Sequence, residues 1–498
     1  MKNGIFYDYG NGQADLIIEK LKEANIMDTI IWIDNTELFE LNCKKENRTP
    51  LRMPDYDWFD LREAKLKDYQ YSGVFNEQME NFYKHFYDFL LKAGREDIKA
   101  HANLYRSESS HLYTNSSIFA LQNIFFMLCD FFMNMLKSNS IEVIYFNNIP
   151  HDGADFVLYL IAKELNIKTV IATPSSIFPN QFFYSFNIEE FGNFDILPEI
   201  GLKTPYIIKK ESIDKLPYLA LNKEFILEDN ILDPYIKERF FKQQIKVDFK
   251  RLRKSIRRKI KTFFCEQPLN NSLKNIKELC LFVSNAMTYL NFIKYKENLD
   301  ANTYHDYDLN NKFIYFPLHM QPEATTSAFA SVFCDQLLVL EKISNLIPEG
   351  WVIYIKEHYP QREYMRDPVF YERLKGIKNV KMLPKMLSSF DLIEKSQFVA
   401  TITGTVGWEA LTVSKNVLVF GRAWYINLPG VFKYNNGFKI KDIINYKIDI
   451  SELEVRAEEM KSKMGEGIID CDFKLFVKEC NQDENIKVIV ESLGKILV

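Results

Sequence analysis

The chain is expected to be an α/β protein, with two doubly wound units facing each other across a cleft. Three features point there. Strand-like apolar runs alternate with stretches of helical periodicity up to Ala172, and again from Lys312 to Phe420. Runs such as Ile141–Phe146 and Lys312–Phe316 are nearly continuous in apolar residues, as strands of a parallel sheet covered on both faces are. Gly (18) and Pro (17) are too scarce in 498 residues for a many-turned all-β chain.

Composition narrows the class further. At roughly 150 residues per domain the length allows about three domain-equivalents. With 47% hydrophobic and 26% charged residues, the chain can bury a core and is not mostly disordered. The net charge of −4 implies no global polyelectrolyte partner. The seven cysteines are odd in number, scattered and free of CxxC, so reduced cytosolic thiols are expected rather than a disulfide framework or a zinc site. Met1 to Gly4 lead straight into a strand-like run, so no signal peptide is expected. The apolar run Ile118–Leu136 is interrupted by Gln122, Asn123, Asp130 and Asn134, which argues against a membrane span.

In chain order, Ile5–Tyr7 reads as a strand, Ala14–Ala24 as a helix and Thr29–Ile33 as a strand. Asn76–Leu91 and Ser117–Leu136 read as Phe-rich helices. Then follow a strand at Ile141–Phe146, a helix at Ala154–Leu165 and a strand at Lys168–Ala172. Regularity is lost around Leu202–Asp233, and residues 273–298 read as a further helix. In the second block, strands are expected at Lys312–Phe316, Trp351–Lys356, Asn379–Leu383, Gln397–Ile402 and Asn416–Phe420. Helices are expected at Ala328–Leu346, Ser388–Lys395 and Val406–Val413, and two or three more in Ser451–Val498. The expected organisation is an α/β unit over 1–215, a basic helical insertion over 216–305, an α/β unit over 306–445 and a helical tail over 446–498.

The basic stretch Lys237–Lys261 holds twelve Lys/Arg against Glu238 and Asp248. Phe241, Ile245, Phe249, Leu252, Ile256, Ile260 and Phe263 form one helical face through it. One reading lays this helix on an anionic membrane, with Lys250, Arg251, Arg253, Lys254, Arg257 and Arg258 at the headgroups. An equal one packs the apolar stripe on its own domain and leaves the basic face solvated. Nucleic acid fits less well, because so regular an amphipathic stripe suits a surface or core better than a groove, and no nucleic-acid partner is expected.

Four constellations carry candidate chemistry. Thr403-Gly404-Thr405-Val406-Gly407-Trp408-Glu409 follows a strand and opens a helix. Small residues there let backbone N–H groups approach an anion, and the Thr403 and Thr405 hydroxyls can donate to phosphate oxygens. A plain packing turn is as good a reading of this pattern alone. Lys356-Glu357-His358 ends a strand where Lys and His can reach a phosphate or ribose; a solvated surface turn is the alternative. The loop from Tyr315 to Thr326 gathers His319, Gln321 and Glu323 at a strand's carboxyl edge, where Thr325 or Thr326 can equally cap the next helix. Asn147 to Asp155 brings His151 and Asp152 to the corresponding edge of the first block, as base or nucleophile, or with Asp152 merely capping. There is no GxxxxGK[ST], HExxH or GxSxG, so P-loop kinase, zincin and serine-hydrolase readings have no support.

The segments YFPLHMQPEATT, WVIYIKEHYP, NVKMLP, VATITGTVGWEAL and NVLVFGRAWY resemble the bacterial capsule polysaccharide biosynthesis family, which includes Kdo transferases. The resemblance runs from about Lys312 to Gly430 and, more weakly, from Phe146 to Ala172. It is not evident in the basic middle or the C-terminal helices. It implies a GT-B-like glycosyltransferase that needs no metal; taken with the basic stretch, a cytoplasmic enzyme peripheral to the inner membrane and without a cofactor is expected. The C-terminal unit would hold a nucleotide-sugar donor such as CMP-Kdo, and the N-terminal unit a glycan or glycolipid acceptor. Carried over by residue, Lys356, Glu357 and His358 match a Lys-Glu-His-Pro-like segment, with Tyr359 intervening before Pro360. Thr403, Gly404 and Thr405 match the phosphate-binding turn, with Glu409 behind it; His319 and Gln321 join the donor side. The Kdo transferases carry a Glu-Asp-Gly segment where this chain has Thr173-Pro174-Ser175-Ser176, so Asp152, His151 and Glu323 become the catalytic candidates. A sugar-nucleotide epimerase and a non-catalytic assembly or export partner remain alternatives.

Overall fold

The computed structural model describes residues 2–9, 13–34, 51–52, 59–60, 65–66, 71–74, 82–90, 118–151, 153–175, 177–178, 180–201, 293–321, 324–358, 361, 366–385, 387–469 and 481–497. The basic stretch Lys237–Lys261 lies outside them, as do Asp152 and Glu323. Of the cysteines among the described residues, Cys129 is buried and Cys334 half-buried.

The first unit is a seven-stranded sheet. Its strands are β1 (Lys2–Asp8), β2 (Met27–Asp34), β3 (Leu51–Arg52), β6 (Val143–Phe146), β7 (Lys168–Pro174), β8 (Gln181–Ser185) and β15 (Gly465–Glu466), in the order β15-β8-β7-β6-β1-β2-β3. Phe59–Asp60 (β4) and Lys65–Leu66 (β5) form a separate antiparallel pair. The five strands from β7 to β3 are parallel, as their apolar runs implied. The sequence did not announce β8, which turns back antiparallel on β7, or β15, which comes from the C-terminal tail. Helix α1 (Ala14–Glu23) covers one face. Helices α2 (Ile118–Ser138) and α3 (Gly153–Glu164) cover the other. The polar break at Asp130 in α2 is buried, and its carboxylate accepts from the Ser72 backbone at 2.8 Å and hydroxyl at 2.6 Å. Among the described residues no helix is long and apolar enough to cross a membrane.

The second unit is a six-stranded parallel sheet. Its strands are β9 (Phe313–Pro317), β10 (Val352–Lys356), β11 (Val380–Leu383), β12 (Val399–Thr401), β13 (Val417–Val419) and β14 (Val431–Lys433), in the order β11-β10-β9-β12-β13-β14. Read along the chain, that order is 3-2-1-4-5-6, the doubly wound arrangement. Its helices are α4 (Ala324–Phe329), α5 (Gln336–Leu346), α6 (Pro368–Gly376), α7 (Ser389–Lys395) and α8 (Val406–Thr412). The single helix expected over Ala328–Leu346 is broken in two. Ser331 takes a left-handed φ of 52°, and Asp335 caps a new start by accepting from the Leu337 N–H at 3.1 Å.

After α9 (Ile440–Asn445), helix α10 (Ile450–Ser462) leads the chain back to the first unit. There β15 pairs with β8, and α11 (Gln482–Leu497) packs on α1, with Asn485 donating to Gln13 at 3.1 Å. The two units share one apolar core. Across the junction Phe191 stacks on Phe329 at 4.2 Å, Phe183 on Trp424 at 5.0 Å, and Phe178 meets Trp408 edge-on at 6.1 Å. Arg456 of α10 pairs with Asp195 at 2.5 Å beside this aromatic seam.

Candidate functional site

In the second sheet the chain reverses its direction of travel between β9 and β12. An open α/β sheet binds ligands in the crevice outside the carboxyl ends at such a point. Three loops meet there: the one after β9 with His319, the one after β10 with Glu357 and His358, and the one after β12 with Thr403, Gly404 and Thr405.

His319 ties two of them together. Its Nε2 accepts from the Thr403 N–H at 3.3 Å and lies 3.1 Å from Thr401 Oγ1, which in turn accepts from the Gly404 N–H at 3.1 Å. Burial, with His358 and Arg366 nearby, lowers the His319 pKa to about 3, so the ring is neutral. With Nε2 accepting, the proton sits on Nδ1, which is buried without a protein partner. A Cβ on Gly404 would stand 3.0 Å from Thr401 Oγ1 and 3.1 Å from His319 Nε2, so glycine permits this close approach. Thr405 occupies the cap position of α8 but makes no side-chain cap bond, and the structure pairs neither its hydroxyl nor that of Thr403 with a protein group.

The turn is held from behind. The Tyr425 hydroxyl donates to the Gly404 carbonyl, and the ring packs on Trp424 at 5.0 Å. A Cβ on Gly407 would lie 2.2 Å from that hydroxyl. Gly407→Ala is therefore expected to cost roughly 1–3 kcal/mol by overpacking. Thermal denaturation reads this, and an unchanged midpoint would mean that Tyr425 does not seat the turn.

Lys356 and Glu409 supply the site's charge. Lys356, the last residue of β10, donates from Nζ to the Leu387 carbonyl at 2.8 Å and to the Ser389 hydroxyl, which leaves one N–H for a ligand. Burial lowers its pKa to about 8, against the pull of Glu409. Glu409 sits on α8, 7% exposed, with no hydrogen bond to its carboxylate. Burial raises its pKa to about 7, against the pull of Lys356. The pair thus exchanges protons close to neutral pH. His358 is neutral as well, its pKa lowered by burial to about 4, and its Nδ1 is buried without a protein partner.

Behind the loops runs a buried polar girder. Arg366 grips Glu357 with two bonds, Nε to Oε2 at 2.8 Å and Nη2 to Oε1 at 3.2 Å, and also donates to the His319 carbonyl at 3.1 Å. Gln336 donates to the same carbonyl at 3.0 Å and to Gln321 Oε1 at 2.7 Å. Gln321, expected at the ligand, has its amide committed to Cys334, Gln336 and Arg366. The structure places it as support behind His319. Arg366 was not among the residues expected at the site. Its only local signal is the Asp-Pro helix start that follows it, and its partners lie 9 to 47 residues away.

The first sheet has the same chain reversal, between β1 and β6, and His151 sits at that edge, 8% exposed. It does not share the loops that gather His319, Lys356, Thr403 and Glu409.

Residues 242–439 match the family profile described as capsule polysaccharide biosynthesis protein. The match begins upstream of Lys312 and takes in part of the basic middle, where the motifs had shown no resemblance. No curated protein matches the chain. Among solved structures, the chain is similar to the Thermosulfurimonas dismutans KpsC beta Kdo 2,7 transferase, at 17% identity and a TM-score of 0.23, over 40% of this chain and 61% of that one. It is similar to the beta Kdo 2,4 transferase of the same KpsC at 13% identity and a TM-score of 0.22, over 37% and 62%. The UDP-GlcNAc 2-epimerase of Methanocaldococcus jannaschii matches at 10% identity and a TM-score of 0.25, over 93% and 98%. The chain thus spans about three-fifths of the length of the KpsC structures it matches. The segment that builds the second sheet and its crevice bears the signature of the capsule polysaccharide biosynthesis family, as the resemblance in its motifs implied.

Proposed function

We propose that this chain is a glycosyltransferase of capsule or surface polysaccharide biosynthesis that uses a nucleotide-sugar donor, with CMP-Kdo or another CMP-nonulosonic acid as the expected class. What supports this reading is the crevice beside β9 and β12. The Thr403 and Thr405 hydroxyls, the His319 Nδ1–H and one Lys356 N–H are all uncommitted there, in a segment matching that family. Such donors, fixed before the reaction, stabilise charge as it develops on a leaving phosphate. The other parts of the proposal are an acceptor glycan or glycolipid on the first unit, with His151, Asp152 and Glu323 as the catalytic candidates, chemistry without a metal, and peripheral attachment to an anionic inner membrane through 237–261.

The test is a thermal-shift screen of the full chain against CMP, CDP, UDP and GDP. A ligand at 100 times its dissociation constant adds about 2.7 kcal/mol. CMP is expected to stabilise selectively, and Thr405→Trp is expected to abolish that shift while the ligand-free midpoint stays within a few degrees. Stabilisation by UDP or GDP alone would overturn the donor, and a flat response would overturn the transferase. Conversion of a nucleotide sugar to its epimer without acceptor would make the chain an epimerase.

A further inference from the structure

The carboxyl edge of the first sheet carries a second built arrangement, centred on Asp155. This residue is fully buried in the first turn of α3. Its Oδ2 accepts from the Tyr9 hydroxyl at 2.5 Å and from the His151 backbone N–H at 2.9 Å. Tyr9 leaves β1, and His151 lies in the loop after β6, so one carboxylate oxygen bridges the two strands between which the chain reverses direction. The Tyr9 ring also lies against the His151 imidazole, with centroids 5.5 Å apart and planes 17° from parallel. The imidazole Nδ1 is paired with the Ile149 carbonyl. A carbonyl can only accept, so Nδ1 carries a proton, and in the neutral ring the lone pair is the one on Nε2. Backbone, ring face and tautomer of one histidine are all fixed by its neighbours. That is how a general base is held.

We propose that Tyr9 and Asp155 are positioning residues that hold His151 as the base for the hydroxyl group entering on the first unit. This rests on the transferase reading above. In the step, the proton of the acceptor O–H passes to His151 Nε2 and the oxygen bonds to the anomeric carbon of the donor sugar. The bond from that carbon to the donor phosphate breaks, its electron pair leaving on the nucleotide. Asp155 acts through the backbone of His151 and the hydroxyl of Tyr9, not on the substrate. With water as acceptor, the same step releases the nucleotide by hydrolysis.

Two measurements on the full chain test this. The first is 15N NMR of protein labelled in its seven histidines, with His151→Asn assigning the signal. His151 is expected as the Nδ1–H tautomer, held by the Ile149 carbonyl in the wild type and in Tyr9→Phe alike. A wild-type Nε2–H tautomer would overturn the proposal whether or not the protein is active. The second is release of CMP from CMP-Kdo in water, read beside the CMP thermal shift. His151→Asn is expected to slow release by about 100-fold. Tyr9→Phe is expected to slow it by about 10-fold, with the acid limb of the pH profile displaced and KM for the donor unchanged. A structural role alone would lower the melting midpoint and leave that limb in place. Release from His151→Asn at the wild-type rate would overturn this proposal and leave the transferase reading standing. If the wild type neither binds CMP nor releases it, the transferase reading fails, and the base role fails with it.

Discussion

Replacing Arg366 by Met is expected to destabilise the protein by about 3–5 kcal/mol, the usual result of breaking a buried ion pair from one side. Arg366 and Glu357 are both sealed from solvent, and the guanidinium meets the carboxylate through two bonds. Removing it leaves a buried carboxylate whose remaining donor is the His358 N–H at 3.0 Å. It also removes one of the two donors on the His319 carbonyl. The doubly substituted protein, Glu357→Gln with Arg366→Met, separates these effects. With no unpaired charge, most of the lost stability is expected to return, because replacing both partners of a buried pair is often nearly neutral. The CMP-dependent shift is expected to stay reduced, because the His319 carbonyl then keeps only its Gln336 donor. Denaturant titration gives the first quantity and the thermal-shift screen the second. If Arg366→Met unfolds at the wild-type denaturant concentration, the pair does not anchor these loops.

The difference between Arg366 and Lys356 shows what the sequence could and could not reveal. Lys356, His358 and Thr403–Thr405 stand at strand ends that are legible, because parallel strands read as short apolar runs and their first polar residues mark the carboxyl edge. What those side chains do there depends on partners far along the chain. The bond joining His319 to Thr401 spans 82 residues, and no spacing rule encodes it. Gln321 was expected at the ligand for the same reason, since a polar residue in an edge loop reads alike whether it faces a substrate or braces the loop. The short edge strands were also hidden. β15 has two residues, and its Gly465 lies so close to Phe182 that a Cβ would come within 2.1 Å of the ring. Such a contact is specified by packing rather than by periodicity. The return of α11 to α1 likewise depends on surfaces that face each other only once both units are folded.

Nucleotide affinity is expected to fall in two steps as pH rises, the first near 7 and the second near 8. Burial raises the Glu409 pKa to about 7 and lowers that of Lys356 to about 8. Below pH 7 the pair is neutral acid plus ammonium and carries +1. Between 7 and 8 it is carboxylate plus ammonium, with no net charge. Above 8 it is carboxylate plus amine and carries −1. A phosphate is favoured by the first state and opposed by the last. Glu409→Gln is expected to erase the step near 7 and tighten binding at pH 7.5. Lys356→Met is expected to erase the step near 8 and weaken binding about 10- to 100-fold below it, the worth of a charge-assisted hydrogen bond, with the difference from the wild type shrinking above pH 8. Titrations above pH 6.5 avoid the phosphate's own second ionisation, near pH 6. Folding stability supplies an independent sign. The folded chain holds the Glu409 proton between pH 4.5 and about 7, where the unfolded chain releases it, so stability falls as pH rises through that window. The shift corresponds to about 3 kcal/mol, and Glu409→Gln is expected to remove that slope. Lys356 acts at the other end. Its folded pKa lies below its unfolded one, so stability recovers as pH rises from about 8 to 10.5. A CMP dissociation constant that stays level from pH 6.5 to 9, or one weakened at pH 7.5 by Glu409→Gln, would show that this pair does not face the phosphate.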